Sequence, residues 1–275
     1  MIRFFVSGYN KSGTTYLQML LDGHPAIHCP SEQYFNLILH VSEQLSTEYE
    51  KQIAKFDKNT ANQGVQFDKN RFFTNIVRNA VLAQMDTGIV KGTTHTGLND
   101  NSIIDRGPFW AQTFPDAHFL FIVRDPRALA VSIWHHRTRT EPAFAKSGAT
   151  VDAVAGALAR SWPKHVDRLM EFKRDHADRV MIVRYEDLIG ESKVDFLVQI
   201  LGQLRINTDR DTLESMFQRV DFEKLKEKEG QSLNGKPGFF RQGSSRGWET
   251  ALAKSAVEAF VNEGSSQLET FGYPR

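Results

Sequence analysis

Several features that would define a class of protein are scarce in this sequence. There is one cysteine, Cys29, in 275 residues, so neither an internal disulfide nor a zinc site built on cysteines can form. No apolar run approaches the roughly 20 residues that a transmembrane helix requires. The first residues lack the charged and apolar regions of a secretory signal. We therefore expect a cytoplasmic protein without a transmembrane segment.

Neither positive nor negative charge is in excess in this sequence. Lys and Arg total 34 against 33 for Asp and Glu, which leaves a formal net charge of +1. This balance argues against a broadly basic surface, and we expect no nucleic-acid partner. The sequence shows no metal-ligand spacing, so no metal is expected. The length and the ordinary composition fit one α/β domain spanning residues 1–275.

Short apolar runs alternate with segments of helical periodicity. The runs at 2–7, 118–123 and 180–183 indicate buried strands, and residues 89–90 form a further short candidate. Helices are predicted at about 35–54, 70–85, 151–176 and 249–262, with Pro163 expected to kink or split the third. Apolar strands that alternate with helices are typical of a parallel sheet covered on both faces. We predict an α/β three-layer sandwich with a central parallel β-sheet.

A glycine-bounded loop follows the first predicted strand and reads Gly8-Tyr-Asn-Lys-Ser-Gly-Thr-Thr15. In a parallel α/β fold, a loop of this kind binds phosphates through backbone N–H groups and the start of the next helix. The spacing of Gly8 and Gly13 resembles a Walker A loop, but Thr14 stands where an NTPase carries lysine. Phosphate binding is therefore favoured, and a P-loop kinase or NTPase is the alternative.

Three segments resemble the sulfotransferases that use 3′-phosphoadenosine 5′-phosphosulfate (PAPS). Residues 11–21, Lys-Ser-Gly-Thr-Thr-Tyr-Leu-Gln-Met-Leu-Leu, are similar to the family's 5′-phosphosulfate-binding loop. Arg124 and Ser132 have the spacing of its 3′-phosphate site. Residues 240–249 resemble its C-terminal Arg-Lys-Gly-x-x-Gly-Asp-Trp loop, with Gln242 in place of the lysine. The resemblance implies a P-loop-like fold and a PAPS-dependent enzyme that releases adenosine 3′,5′-bisphosphate (PAP).

The resemblance also implies a set of donor-binding residues. Those expected to contact the nucleotide are Lys11, Ser12, Gly13, Thr14, Thr15, Tyr16, Arg124, Ser132, Tyr185, Phe222, Arg241, Gln242 and Gly243. Tyr16 and Phe222 would stack on the adenine, and Tyr185 belongs to a Tyr-Glu-Asp-Leu motif near the nucleotide. Lys91, Arg127 and Arg246 are expected to add positive charge near the same ligand.

Sulfuryl transfer requires charge stabilisation and a base for the acceptor proton. The resemblance implies that Lys11 and Lys91 stabilise the transferred group. Glu32 follows Lys11 by 21 positions, as the base does in protein-tyrosine sulfotransferases, and is the favoured candidate. His95, in Lys91-Gly-Thr-Thr-His95, is similar to the histidine base of cytosolic sulfotransferases and is the rival.

The acceptor is left open as a small molecule or a peptide that carries a hydroxyl or amine group. Aromatic and apolar residues in the motif-free stretches 36–87 and 136–178 suggest a partly apolar acceptor, although core packing explains them equally well. A homo-oligomer is also left open. The remaining alternative is a non-catalytic nucleotide-binding module of the same fold.

Overall fold

A single parallel sheet organises the chain. The computed structural model describes residues 1–30, 33–59, 66–221, 224–225, 227 and 246–275. The strands are β1 (Ile2–Gly8), β2 (Ile27–His28), β3 (His95–Asn99), β4 (His118–Val123) and β5 (Val180–Arg184). They lie in the order β2-β3-β1-β4-β5, and every pairing is parallel.

Helices cover both faces of this sheet. The described helices are α1 (Thr14–Leu21), α2 (Phe35–Asn59), α3 (Lys69–Met85), α4 (Gly107–Thr113), α5 (Pro126–Thr140), α6 (Pro142–Lys146), α7 (Val151–Asp175), α8 (Tyr185–Ile189), α9 (Lys193–Gln203), α10 (Arg210–Arg219), α11 (Trp248–Ala251) and α12 (Lys254–Thr270). A 3₁₀ turn at Ile103–Arg106 precedes α4.

Alternating side chains of the central strands build two separate cores. Phe5, Phe119 and Phe121 face one side and pack with α2, α3, α4, α5, α7 and α12. Phe4 and Val6, with their neighbours on β4, face the other side and pack with α1, α8, α9 and α10. Because both faces are buried, the strands read as continuous apolar runs. The predicted three-layer α/β sandwich is confirmed.

The register defines two ends of the sheet. Ile2 pairs with His95, and Val6 pairs with Asn99, so β1 and β3 begin together and β1 continues two residues further, to Gly8. Gly8 pairs with Ile122 of β4, and Val123 pairs with Arg184 of β5. We call the end at which these strands finish the carboxyl end and the opposite one the amino end. Six steps of β1 at about 3.3 Å each place the two ends roughly 20 Å apart.

Some predicted strands and helices differ from those in the structure. The candidate strand at 89–90 is not a strand, and the sheet instead uses Ile27–His28 and His95–Asn99. Helix α7 runs through Pro163 as one element. The helix predicted at 249–262 is two helices, α11 and α12. None of the helices that the structure describes is long and apolar enough to cross a membrane.

Candidate active site

The loop between β1 and α1 turns sharply at the carboxyl end of the sheet. Lys11 and Gly13 both have left-handed backbone conformations, with φ of 74° and 108°, and the Ser12 amide donates to the Tyr9 carbonyl at 2.9 Å. Gly13 is the N-cap of α1 and offers no side chain to cap it. The amides of the first helical turn therefore have no intrahelical acceptor, which makes this helix start a binding place for an anion.

Ser12 adds a polar atom to the same loop. Its side chain is fully buried, and its Oγ has no hydrogen-bond partner among the described residues. A buried hydroxyl without a partner costs free energy of about 1–3 kcal/mol. A phosphate or sulfate oxygen against the loop would satisfy it, so these residues fit the phosphosulfate group of PAPS.

The Tyr185 ring packs against Gly13 of the β1–α1 loop. A methyl group on Gly13 would lie 2.5 Å from a carbon of the Tyr185 ring, so the chain can pass here only as glycine. The Tyr16 and Tyr185 rings meet edge to face with centroids 6.2 Å apart. Burial raises the pKa of Tyr185, and burial, with smaller contributions from Tyr185 and Asp221, raises the pKa of Tyr16 to about 12. Both phenols stay neutral and act as rings and hydrogen-bonding groups.

Arg124 follows β4 directly and joins the loop to Tyr185. Its Nη1 donates to the Lys11 carbonyl at 3.1 Å, and its guanidinium carbon lies 4.5 Å from the centre of the Tyr185 ring. The structure thus brings Lys11, Arg124 and Tyr185 together. The arrangement places a fixed positive charge beside the start of α1.

Arg127 has a different place from the one predicted. It is fully buried and forms a bidentate pair with Asp125, with Nε–Oδ1 at 2.9 Å and Nη2–Oδ2 at 2.7 Å. Trp248 covers it, with the guanidinium carbon 4.0 Å from the ring centre. The expectation that Arg127 faces the nucleotide is therefore wrong, because the side chain is buried, its Nε–Nη2 edge is paired with Asp125 and Trp248 covers its face.

Glu186 of the Tyr-Glu-Asp-Leu motif stabilises the turn between β4 and α5, which we call the β4–α5 corner. Glu186 accepts from the Asp125 amide at 3.1 Å and from the Tyr273 hydroxyl at 3.0 Å. Burial, followed by the charge of Glu186, raises the pKa of Tyr273 well above its usual value, so the phenol remains the donor. Glu186 thereby ties the β4–α5 corner to the end of the chain.

Helix α5 presents a residue that the sequence reasoning missed. Ser132 and His136 are one turn apart and share a helix face. Burial lowers the pKa of His136, and the next largest cause is the positive charge of Lys11. This face of α5 therefore lies close to Lys11. The i, i+4 spacing after Ser132 was the available signal, but no family motif marked His136.

The amino end holds two residues that were predicted to be catalytic. His95 begins β3 opposite Ile2, and its ring nitrogens pair with the Thr94 hydroxyl and the Leu204 carbonyl, both at 2.8 Å. Burial lowers its pKa. The register contradicts the prediction of His95 as the base, because the loop lies at the other end of the sheet, roughly 20 Å away.

Lys91 shares this location. It precedes β3 in an exposed turn closed by the Thr93 amide and the Val90 carbonyl, and Thr94 then accepts from the Ile2 amide. Three residues span at most about 11 Å, which cannot bring the Lys91 backbone to the carboxyl end. The prediction of Lys91 as a second catalytic lysine near the donor is therefore wrong.

Five predicted site residues lie outside the described residues: Glu32, Phe222, Arg241, Gln242 and Gly243. Their described neighbours can still be placed. The Gln33 amide donates to the Asn99 carbonyl at 2.9 Å, at the carboxyl end of β3. Asp221 is close enough for its charge to affect Tyr16. Arg246 is exposed, with its Nε 4.0 Å from Glu249.

A cleft of about 480 Å³ opens beside the loop. It is lined by Asn10, Gln33, Tyr34, Asn36, Leu37, Asp100, Asn101, Ser102 and Asp105. Asp100 shapes the cleft, since its carboxylate accepts from the Phe35 and Ser102 amides, both at 2.8 Å. The sequence did not reveal this cleft because β3 was not predicted, and three of the lining residues, Asp100, Asn101 and Ser102, directly follow that strand.

Comparison with known proteins decides the family. The sequence model described as "Sulfotransferase family" matches residues 3–220. The chain belongs to the sulfotransferase family. The predicted relationship is thereby confirmed, and it covers both the β1–α1 loop and the β4–α5 corner.

Two curated relatives of this sulfotransferase are protein-tyrosine sulfotransferases. The Drosophila melanogaster enzyme is 28% identical over 192 residues, which is 67% of this chain and 34% of the relative. Protein-tyrosine sulfotransferase 1 of Danio rerio is 23% identical over 193 residues, which is 67% of this chain and 48% of the relative. The match thus spans about a third to a half of these relatives' lengths.

A solved structure gives the same fold. Mouse sulfotransferase SULT7A1 complexed with PAP has a TM-score of 0.59 and 19% identity, covering 98% of this chain and 86% of the mouse chain. At this identity the likeness concerns the fold. The arrangement of strands and helices is therefore that of sulfotransferases along nearly the whole chain.

Proposed function

We propose that the protein is a PAPS-dependent sulfotransferase with a single catalytic domain. The observation that carries this proposal is the β1–α1 loop: an uncapped helix start, the buried Ser12 hydroxyl and Arg124 converge on one point at the carboxyl end of the sheet. In the reaction, an acceptor oxygen or nitrogen forms a bond to sulfur as the bond from sulfur to the 5′-phosphate oxygen breaks. The acceptor proton passes to a base, and PAP leaves.

The 5′-phosphosulfate would lie against residues 11–16. The first-turn amides of α1 and the Ser12 and Thr14 hydroxyls would donate to its oxygens, and the Lys11 ammonium would neutralise charge that builds on the leaving oxygen. The left-handed conformation of Lys11, with its carbonyl held by Arg124, supports a fixed position for this lysine.

The 3′-phosphate would lie between β4 and α5, with Arg124 and Ser132 as donors. Arg241, Gln242 and Gly243 are proposed to contact the same phosphate. Their support comes from the described residue Trp248, five positions after Gly243, which packs on Arg127 in the helix that follows Arg124. Arg246 remains a proposed source of charge at this site.

The adenine would stack on Tyr16, with Phe222 proposed on the other face of the base. Tyr16 is half-buried beside Tyr185 and within electrostatic reach of Asp221, the residue before Phe222. Stacking of one base on one aromatic ring contributes roughly 1–3 kcal/mol.

Glu32 is the base that we propose. Its described neighbour Gln33 is bonded to Asn99 at the carboxyl end of β3, next to the cleft. His136, near Lys11, is the competing group that the structure introduces. Turnover should fall at least 100-fold in Glu32→Gln with PAP affinity unchanged. The same loss in His136→Gln, with Glu32→Gln active, would transfer the role to His136.

The cleft indicates a polar acceptor that carries hydroxyl groups. Four carboxamides line it, from Asn10, Gln33, Asn36 and Asn101, and none of the described lining residues is cationic. A carboxamide both donates and accepts hydrogen bonds, as a hydroxyl group does. A flat apolar phenol would offer the Asn10 and Asn36 amides fewer hydrogen bonds than a polyhydroxyl compound, at about 1–3 kcal/mol for each group left unsatisfied. This proposal replaces the partly apolar acceptor suggested by the aromatic composition.

Donor binding is the first test. Calorimetry should detect PAP, and Arg124→Ala should weaken it by about 10-fold or more, since hydrogen bonds to charged groups contribute about 1.5–3 kcal/mol. Arg210→Ala, which removes an exposed arginine on α10, should leave PAP affinity unchanged. Absence of binding at millimolar PAP would reject the proposed function. Hydrolysis of Mg²⁺-ATP would support the NTPase alternative, and PAP binding without any turnover would support a non-catalytic module.

Acceptor preference is tested with labelled sulfate. Transfer to a methyl glucoside, a disaccharide, a tyrosine peptide and 4-nitrophenol should favour the polar compounds. Asn36→Leu should raise KM for the preferred acceptor without changing PAP affinity. Asn70→Leu is the matched control, because Asn70 is also the second residue of an exposed helix start. A preference for 4-nitrophenol would overturn the polar-acceptor proposal and leave the donor site standing.

A further inference from the structure

One face of helix α7 carries three polar side chains in a row. Ser161, His165 and Arg168 are spaced i, i+4 and i+7, so they lie on the same side of the helix. We call these three residues the α7 row. Ser161 and Arg168 are exposed, and His165 between them is buried. At 1.5 Å per residue the α7 row extends for roughly 10 Å along the helix.

The first part of the α7 row holds Tyr9 of the β1–α1 loop. The Tyr9 hydroxyl forms a hydrogen bond with the Ser161 hydroxyl at 3.2 Å. The Tyr9 ring meets the His165 ring edge to face, with centroids 5.2 Å apart. The Nε2 atom of His165 is buried and has no hydrogen-bond partner among the described residues, so the ring acts on the loop through its packing against Tyr9. Tyr9 is thus held by two side chains that are one turn apart on a single helix.

Tyr9 connects this contact to the reactive part of the loop. Its carbonyl accepts from the Ser12 amide at 2.9 Å, and this bond closes the turn that contains Lys11. Lys11 has a left-handed backbone, with φ of 74°, which costs free energy for any residue other than glycine. Such a conformation persists only where the surrounding contacts fix it. Arg124 binds the Lys11 carbonyl from β4, and Tyr9 attaches the same turn to α7.

The last residue of the α7 row contacts the cleft. Arg168 Nη1 donates to Asp105 Oδ1 at 2.9 Å, and Asp105 is one of the residues that line the cleft. Asp105 belongs to the 3₁₀ turn at Ile103–Arg106. Both side chains of this ion pair are more than half exposed, so the pair contributes little to stability. It nevertheless connects the wall of the cleft to the helix that also holds Tyr9.

We propose that the α7 row sets the distance between the donor loop and the acceptor cleft, with Tyr9 and His165 as positioning residues for Lys11. In-line transfer requires that the acceptor atom, the sulfur and the leaving oxygen be aligned, and a misplacement of about 1 Å costs roughly 100-fold in rate. One helix that holds both the loop and the wall of the cleft provides this alignment, because a helix is a rigid element. The inference rests on the proposed function, and neither positioning residue needs to touch the substrates.

Removal of the two rings is the first test. Tyr9→Ala and His165→Ala should each lower kcat roughly 30-fold, with PAP affinity and acceptor KM within about 3-fold of wild type. Tyr9→Phe and His165→Phe keep a ring at each position and should restore most of the rate. Tyr49→Ala is the control, because it removes a tyrosine that also packs against other rings but lies on α2. A Tyr9→Ala protein with normal kcat, or one whose PAP affinity falls as much as its turnover, would overturn the proposal.

The hydrogen bond between Tyr9 and Ser161 is tested by a double-mutant cycle. Tyr9→Phe and Ser161→Ala remove the same bond from opposite sides, so each should lower kcat by about 3- to 10-fold. The double variant should lose no more than either single variant. Ser266→Ala is the control, because Ser266 also lies on a helix and bonds a neighbouring side chain, at 2.9 Å from Gln267. Losses that multiply in the double variant would show that the two residues act separately and would reject the attachment.

Hydrogen exchange tests the attachment of the loop without any assay of activity. In Tyr9→Ala the amides of residues 10–13 should exchange at least about 5-fold faster than in wild type, while those of β5 should not change. Exchange as slow as in wild type would overturn the proposal even if turnover fell. A wild-type protein that neither binds PAP nor transfers sulfate would reject the proposed function instead. The exchange measurement would then still decide whether α7 holds the loop.

Discussion

At the carboxyl end of the sheet, polar groups converge without satisfying one another, whereas the principal polar side chain of the amino end is satisfied within the protein. The start of α1 has no side-chain cap, and the Ser12 hydroxyl is buried without a described partner. In contrast, both ring nitrogens of His95 are hydrogen-bonded. An unsatisfied hydroxyl at an uncapped helix start indicates a ligand, whereas the satisfied ring of His95 indicates a structural role for that residue.

The difference follows from the direction of the strands. In parallel α/β units each strand enters its helix at the carboxyl end, so helix starts and their positive dipole ends collect there. At the amino end the chain arrives from helix ends, which offer carbonyl groups. A cationic or acid–base residue can therefore be equally prominent in the sequence whether it lies at the amino end or at the carboxyl end of the sheet. It has a chemical role only at the carboxyl end.

The largest expected effect comes from removing one lysine at each end. Lys11→Met should lower sulfate transfer by about 10²–10³-fold, which is the usual cost of losing one donor to developing charge. Lys91→Met should change it by less than 2-fold. The measurement is transfer of labelled sulfate from PAPS to the preferred acceptor, with PAP affinity determined in parallel. Similar losses in both variants would remove the distinction between the two ends.

Two glycines provide a second comparison. Gly13 and Gly92 both have positive φ, 108° and 102°, but a Cβ on Gly13 would meet Tyr185 and one on Gly92 would meet nothing within 4 Å. Alanine at either site should cost about 1–2 kcal/mol for the left-handed backbone. Gly13→Ala should cost a further 1–3 kcal/mol from the clash and should weaken PAP binding.

Urea unfolding and PAP calorimetry on both variants would check this. Gly92→Ala serves as the control for backbone strain, since it shares the conformation and lies at the amino end. A Gly13→Ala protein as stable as Gly92→Ala, with PAP affinity intact, would show that the loop does not rest tightly on Tyr185.

Much of the carboxyl end was predictable from sequence. The runs 2–7, 118–123 and 180–183 are uniformly apolar because both faces of β1, β4 and β5 are buried, and the loop and Arg124 follow β1 and β4 directly. Parallel strands bring their carboxyl ends together, so these motifs had to meet. Arg127 was misplaced because the sequence does not reveal that Asp125, two positions earlier, pairs with the Nε–Nη2 edge of its guanidinium.

The amino end was not predictable because the sequence of β3 does not resemble that of a typical strand. β3 reads His-Thr-Gly-Leu-Asn, with one large apolar residue, and it becomes a strand because tertiary pairing with β1 and β2 buries all five residues. Without β3, the sequence offered no register. His95 could then be compared with a catalytic histidine on the basis of the preceding lysine alone.

A buried histidine beside the loop predicts acid sensitivity. The His165 ring meets Tyr9 edge to face at 5.2 Å, and burial lowers its pKa from 6.5 to about 4. Between these pH values the unfolded chain binds a proton that the folded chain does not. Folding stability should therefore fall as the pH drops from about 6.5 to 4, by at most about 3 kcal/mol from this residue.

His165→Phe isolates this contribution, because it keeps a ring against Tyr9 and removes the proton-binding site. Unfolding free energies at pH 8 and pH 4.5 should differ less in the variant than in the wild type. An unchanged difference would mean that His165 is solvated in the folded state. Burial also lowers the pKa values of His24, His95, His118 and His136, so part of the acid sensitivity should remain.

The smallest expected effect is at His95. His95→Asn shortens the side chain so that it no longer spans from Thr94 to the Leu204 carbonyl, which should cost about 1–2 kcal/mol of stability. Turnover measured well below the unfolding transition should stay within 2-fold of wild type, since the ring lies at the amino end. A 100-fold loss of turnover in a folded variant with normal PAP affinity would instead require His95 to reach the acceptor. That would demand a different pairing of β3 with β1, because in the present register the first residue of β3 is fixed opposite Ile2.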